Sequence, residues 1–241
     1  SRQLSAEFAD LAGVTEGQTV LDVGCGPGAL TELLVDRVGA ASVAAFDPSP
    51  PFVAECAARC PGVDVRAGRA EEIPFEDGRF DRALAQLVLH FVADPAQAAR
   101  ELRRVLRPDG VFAACVWDFA DGMEMLRAFW DAALAVDREA PDEARLLRFG
   151  GVGEIATLLE DAGFADIVET TITVSSSYVD FAELWSGFLN GIGPAGAYLL
   201  TLDDDGRAAV RDAMFDRVGS PAGSFTLGAV ARYASGRSPR A

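Results

Sequence analysis

The chemistry this sequence offers starts with Asp22, Gly24, Gly26, Gly28 and, further on, Asp47. Val20-Leu21-Asp22-Val23 is apolar but for one carboxylate. Three glycines follow at alternate positions, with Cys25 and Pro27 between them. A helical pattern begins at once with Ala29-Leu30-Thr31-Glu32-Leu33-Leu34. Glycine has no Cβ and tolerates positive φ, so a strand–turn–helix unit of this kind lets a ligand lie against bare backbone. The G-x-G-x-G spacing is not the G-x-G-x-x-G of a turn that holds a dinucleotide pyrophosphate. Asp47 lies 19 residues after Gly28, at the end of a second apolar run. A carboxylate there can accept both hydroxyls of a nucleoside ribose. The same residue, ahead of Ser49, Pro50 and Pro51, also suits a helix start.

These residues need a scaffold, and the hydrophobic pattern supplies one. Strands are predicted at 19–23, 41–46, 63–66, 80–87 and 111–117, with helices at 3–12, 29–37, 51–59 and 95–106 and a turn at 107–110. Such β–α alternation with short connections means a parallel sheet with helices on both faces. Ligands bind outside the carboxyl ends of its strands. The rhythm then breaks. Residues 121–148 read as helical and 152–162 as a further helix. Residues 165–174 alternate as a strand should, 178–218 read as broken helices, and 224–233 read as a last strand; the two strands fit an antiparallel pair at the sheet edge. The tail from Ser235 reads as loose.

Composition removes several classes of function. The formal net charge is −16, which argues against long nucleic acid as a partner and fits a solvated acidic surface. All 21 basic residues are Arg. Without Lys there is no Schiff-base lysine, no P-loop lysine and no Tyr-x-x-x-Lys dehydrogenase pair. Cys25, Cys56, Cys60 and Cys115 form no C-x-x-C, and Cys56 and Cys60 share a helix face as two small buried thiols rather than as metal ligands. No metal is expected. The 241 residues, half of them hydrophobic, suffice for one domain, with no apolar run long enough to span a membrane. No secretory pattern opens the chain, so a reducing cytoplasm is expected.

Further motifs follow in order. Gly68-Arg69-Ala70-Glu71-Glu72-Ile73-Pro74-Phe75 and Asp77-Gly78-Arg79-Phe80-Asp81 precede the fourth strand. Ala85-Gln86-Leu87-Val88-Leu89-His90-Phe91 ends it, and Arg103-Arg104-Val105-Leu106-Arg107-Pro108-Asp109-Gly110 precedes the fifth. With the glycine turn, this set across residues 18–118 resembles the class I S-adenosylmethionine-dependent methyltransferases, in particular the small-molecule branch typified by ubiquinone and menaquinone biosynthesis. Beyond residue 118 the resemblance covers topology only.

The resemblance implies an α/β, Rossmann-like sheet of seven mostly parallel strands with an antiparallel last strand and helical lid insertions. It implies one domain over 1–241, with a cofactor-binding half at 1–118 and excursions at 119–150 and 178–220 that form an acceptor lid. The implied cofactor is S-adenosyl-L-methionine. Asp22, Gly24, Cys25, Gly26 and Gly28 would line it, and Asp47 and Pro48 would meet the ribose. Ala70 and Glu71 would cap the adenine, and Gln86 and Leu87 would receive the methionine amino group. Arg2 would meet the ligand's carboxylate. Arg69 stands where the family has Asp; Arg only donates, so Glu71 or a backbone carbonyl must accept from the adenine amine. His90 is the sole histidine and the candidate base, although a histidine just past a strand also serves structure. Trp117, Phe149 and Trp185 are expected near a small, apolar or aromatic acceptor, while many other aromatics are core.

Transfer of an activated methyl needs alignment and water exclusion more than a catalytic group. Gln86-Leu87-Val88-Leu89 replaces the N/D-P-P-Y/F of nucleobase amino methyltransferases, so carbon or oxygen is the expected accepting atom. Two other functions fit the residues: a non-catalytic S-adenosylmethionine-binding protein, and a nicotinamide-dependent oxidoreductase, which the glycine spacing and missing lysine oppose.

Overall fold

A computed structural model describes residues 2–191 and 193–240. Seven strands form one sheet in the order β3-β2-β1-β4-β5-β7-β6. β1 (Val20–Val23) and β2 (Val43–Asp47) are buried along their whole length, as strands covered on both faces must be. β1 pairs in parallel with β2 and with β4 (Phe80–Gln86), β2 with β3 (Asp64–Ala67), and β4 with β5 (Leu106–Trp117). The order reverses beside β1, so the switch point of the sheet lies between β1 and β4.

The helices start and stop where local chemistry dictates. α1 (Arg2–Leu11) precedes the sheet, and α2 (Ala29–Val38) springs from Gly28 and stops at Gly39, whose φ is +82°. α3 (Pro50–Arg59) has proline in its first turn, where no intrahelical N–H is needed. α4 (Pro95–Val105) is capped by Asp94, whose carboxylate accepts from the Gln97 N–H.

Three expectations need correction. Residues 107–110 are not a free turn between α4 and a strand starting at 111. β5 begins at Leu106, because the Asp109 N–H donates to the Ser238 carbonyl and the Ser238 N–H to the Gly110 carbonyl, each at 2.8 Å. The same ladder removes the loose tail: β7 (Phe225–Arg237) runs antiparallel to β5, and Arg237 and Arg240 both reach Asp109. The helix expected over 121–148 divides into α5 (Glu124–Val136) and the short α6 (Glu143–Leu146). Pro141 lies between them, and its ring disfavours helical backbone at Ala140. α7 (Glu154–Asp161) leads into β6 (Ala165–Tyr178), and α8 (Phe181–Leu189), α9 (Gly193–Thr201) and α10 (Asp204–Arg217) lie between β6 and β7.

The chain divides into two compact units. The sheet unit holds Ser1–Val116, Gly151–Ile172 and Arg232–Ala241; the helical unit holds Trp117–Gly150 and Thr173–Ala231. The helical unit has its own aromatic core. Phe129 stacks on Phe188 with ring centroids 4.6 Å apart, and Trp130, Val210 and Met214 are fully enclosed.

Within the sheet unit, Gly236 lies flat against Phe164, and a Cβ there would stand 2.8 Å from the Phe164 Cβ. Gly236→Val overpacks this contact at a cost of ~1–3 kcal/mol. The expected outcome is a lower thermal midpoint by differential scanning fluorimetry, and an unchanged midpoint would show that the edge strands do not pack as described.

Candidate functional site

The glycine turn uses each glycine differently. All three have positive φ: +66° at Gly24, +53° at Gly26 and +91° at Gly28. A Cβ on Gly24 would stand 2.8 Å from a Val88 methyl, so the turn closes on the residue just beyond β4. A Cβ on Gly28 would stand 3.1 Å from the Cys56 Sγ, so the start of α2 presses on α3. A Cβ on Gly26 would meet nothing within 4 Å. Gly26 is therefore the member of the turn that presents bare backbone to open space.

Asp47 ties this turn to β2. Its Oδ2 accepts from the Gly26 N–H at 2.9 Å and its Oδ1 from the Ser49 N–H at 2.8 Å. Each carboxylate oxygen accepts two bonds, so acceptor capacity remains for hydroxyls of a ligand. The ribose role and the role at the α3 start are thus geometrically compatible.

Beside the turn lies a small cavity of about 70 Å³. Gly24, Pro48, Ala70, Glu71 and Val88 all line it, so the fold gathers residues from four separate segments. Arg69 also borders it, paired loosely with Glu71 at 3.7 Å. Glu71 has a task of its own: its Oε1 accepts from the Ala93 and Asp94 N–H groups at 3.0 and 3.2 Å. Burial pushes the Glu71 carboxyl up, but these backbone donors and Arg69 hold it below the usual carboxylate range. The Glu71 side chain thus organises the loop before α4.

At the end of β4 the backbone is strained. Leu87 has φ +60°, a left-handed conformation costly for a side-chain-bearing residue, and its N–H donates to the Cys115 carbonyl at 2.8 Å. The neighbouring Gln86 Oε1 is buried without a hydrogen-bond partner among the described residues. An orphaned acceptor at a strand's carboxyl end is one that a ligand donor would satisfy. His90 follows in a short 3₁₀ turn, with its ring centroid 3.9 Å from that of Phe91. Burial draws its imidazole down to about 4, so it is neutral at physiological pH and a weak proton acceptor.

Other expected residues lie elsewhere. The Cys25 side chain turns away from the open side of the turn and packs with Ala45 and Cys56. All four cysteines are free and buried, and no metal-ligating cluster occurs among the described residues. The Arg2 guanidinium is 90% exposed and pairs with Glu32 at 3.4 Å, in the first turn of α2. Trp185 belongs to the helical unit's core, at 7% exposure, stacked on Phe181. Trp117 and Phe149 are half-buried, and Phe149 has φ +70°. None of these three lines the 440 Å³ cavity of the helical unit, whose walls use Leu184, Gly187 and Phe188 instead.

The partner of Asp22 is a contact that the sequence does not announce. Asp22 is buried, and its Oδ2 accepts from the Thr31 hydroxyl at 2.6 Å. Burial raises its carboxyl to about 7, against the opposing Thr31 bond. The folded state therefore holds this proton between about pH 4 and pH 7, where the unfolded chain has released it. The resulting stability is complete below the unfolded value and is lost as pH rises through 7. Asp22→Asn should thus gain on the wild type by up to ~4 kcal/mol between pH 4 and pH 8 in urea melts. Parallel pH profiles for the two proteins would overturn this assignment.

Known proteins resemble the region that holds these residues. Residues 21–114 match the family described as a methyltransferase domain. An uncharacterised 37.1 kDa protein of a Streptomyces fradiae transposon is 34% identical over 75% of this chain and 52% of its own length. A Mycobacterium ulcerans protein named "Probable phthiotriol/phenolphthiotriol dimycocerosates methyltransferase 2" is 38% identical over 54% of this chain and 48% of its own. The chain spans about half the length of these relatives. A Bacillus halodurans protein described as a candidate methyltransferase superposes with a TM-score of 0.65 over 98% of this chain and 99% of its own, at 17% identity, and so shares the fold. The region that matches the methyltransferase domain carries the glycine turn, Asp47 and the end of β4, and the chain is similar there to proteins described as methyltransferases.

Proposed function

We propose that this protein transfers a methyl group from S-adenosylmethionine to a small, apolar or aromatic acceptor, at carbon or oxygen. The observation that carries this reading is the open backbone at Gly26 beside the Asp47 carboxylate, at the switch point of the sheet. The residues present fit the cofactor. Asp47 offers acceptor capacity to the ribose, the apolar walls near Pro48 and Ala70 suit a purine edge, and the orphaned Gln86 oxygen suits an ammonium or amide donor. Bound there, the cofactor supplies a sulfonium methyl already activated for direct displacement.

The chain's own task is alignment. Asp47 holds the turn and the ribose in one geometry, and the strained Leu87 fixes the backbone at the end of β4. A neutral imidazole with little affinity for a proton does not require His90 to act as a base. An acceptor that arrives already deprotonated, as an enolate or phenolate, has no proton to lose and needs no base from the protein. The acidic surface and the absence of a nucleobase motif after β4 support a small acceptor over nucleic acid.

Isothermal titration with S-adenosylhomocysteine tests the cofactor site. Gly26→Leu places a side chain in the open space and should abolish measurable binding while the protein still melts cooperatively. Wild-type affinity in this variant would remove the ligand from the turn. Asp47→Ala should weaken binding roughly 30- to 150-fold, the loss of about 2–3 kcal/mol of charge-assisted hydrogen bonding. A lower melting point with unchanged affinity would leave Asp47 only its role at the start of α3.

Turnover is tested by product mass after incubation with S-adenosylmethionine and a metabolite extract. A product heavier by one methylene than an extract component supports transfer, and its absence with a bound cofactor favours a binding protein. His90→Ala should lower the rate by less than about tenfold, without a new pH dependence. A large loss rescued at high pH would make His90 the base.

A further inference from the structure

The helical unit contains a cavity of about 440 Å³, inside the ~300–1,000 Å³ range of small-molecule sites. Its walls are mainly apolar, from Met125, Leu126, Leu184, Phe188 and Pro194. Two carboxylates, Glu143 and Glu183, line it, and no basic residue does. Glu183 is exposed and its Oε2 already accepts from the Val179 N–H at 2.6 Å. Glu143 is only 7% exposed.

The surroundings of Glu143 leave it half satisfied. Its Oε2 accepts from the Trp130 Nε1–H at 2.9 Å, and its Oε1 accepts from no described residue. Arg127 is the nearby cation, but both of its terminal nitrogens donate to Asp142, at 3.1 and 2.9 Å. Arg127 and Asp142 thus neutralise each other, and Glu143 forms no ion pair among the described residues. A buried carboxylate without a cation is costly, and burial accordingly lifts this carboxyl above its ordinary range. Across the cavity, Tyr178 donates its hydroxyl to the Met125 thioether at 3.4 Å, a weak acceptor that a ligand oxygen would replace.

We propose that this cavity binds an apolar, ring-bearing molecule carrying a protonated amine, and that the Glu143 carboxylate receives the ammonium. The aromatic walls from Tyr178 and Phe188 suit a flat ring, and the two carboxylates without a counter-cation select positive charge. The proposal concerns the helical unit alone and stands apart from the methyltransferase reading above.

Calorimetric titration with a matched pair tests this: 2-(1-naphthyl)ethylamine and its neutral counterpart 2-(1-naphthyl)ethanol. The wild type should bind the amine at least about tenfold more tightly, as a charge-assisted hydrogen bond implies. Glu143→Gln keeps the size of the side chain and an acceptor for Trp130, and should bring the two affinities together. Gly187 lines the cavity, and a Cβ there would meet nothing within 4 Å. Gly187→Leu should therefore fold normally, fill the space and weaken both ligands. Three results would overturn the proposal: equal or undetectable binding of the two ligands to the wild type, an amine preference that survives Glu143→Gln, or undiminished amine binding by Gly187→Leu. S-adenosylhomocysteine affinity, measured in parallel, should be the same in all three proteins. Its loss from the wild type would sink the methyltransferase reading and leave the ratio of amine to alcohol standing.

Discussion

The bond from the Gly26 N–H to the Asp47 carboxylate is the constraint on which the site depends. A turn with three left-handed glycines has little conformational preference of its own. It holds one shape because both of its flanks are fixed. The Cys25 N–H donates to the Phe46 carbonyl at 3.0 Å, and Asp47, one residue on, takes Gly26 and Ser49 together. The strand that ends in Asp47 thus sets the turn, and the turn sets the start of α2. A charge-assisted bond between a carboxylate and a backbone N–H is about twice as strong as a neutral one. The arrangement keeps Gly26 open while Gly24 and Gly28 are pressed against Val88 and Cys56.

Beneath this turn lies a buried layer of polar groups in unusual states. Asp22 and Thr31 bond at 2.6 Å, and the Cys56 thiol donates to the Thr31 hydroxyl at 3.4 Å. Burial keeps Asp22 protonated up to about pH 7, which spares the site a second negative charge beside Asp47. Burial likewise pushes the Cys115 thiol up to about 12, so this cysteine is a small apolar residue in practice. The cysteines serve packing, and Cys25 does so from within the glycine turn.

The helical unit has a different logic. Its core is rich in aromatic rings, and Asp142 and Glu143 are enclosed polar groups. Asp142 caps α6 through the Ala144 N–H while both of its oxygens hold Arg127. Glu143, the next residue, is fixed by Trp130 from α5. Pro141 breaks the helix immediately before this pair, so a helix interruption delivers a carboxylate to a cavity wall. The sheet unit presents open backbone at Gly26, the helical unit an enclosed carboxylate at Glu143.

Residue order alone determined the parts governed by neighbouring residues. Three glycines at alternate positions permit the positive φ that a turn needs, the run Val20-Leu21-Asp22-Val23 suits a covered strand, and Asp47 closes the next apolar run. The α/β alternation follows from the same short-range periodicity. Tertiary structure decided what depends on partners far along the chain. Asp109 and Gly110 joined a strand because Ser238, more than a hundred residues away, supplied ladder bonds. Glu71 became a brace because the N–H groups of Ala93 and Asp94 fold beneath it, and Trp185 became core while its neighbours Leu184 and Phe188 line a cavity. No local pattern records such pairings, because a side chain's hydrogen-bond partner and its burial are properties of the packed molecule and not of the residues on either side.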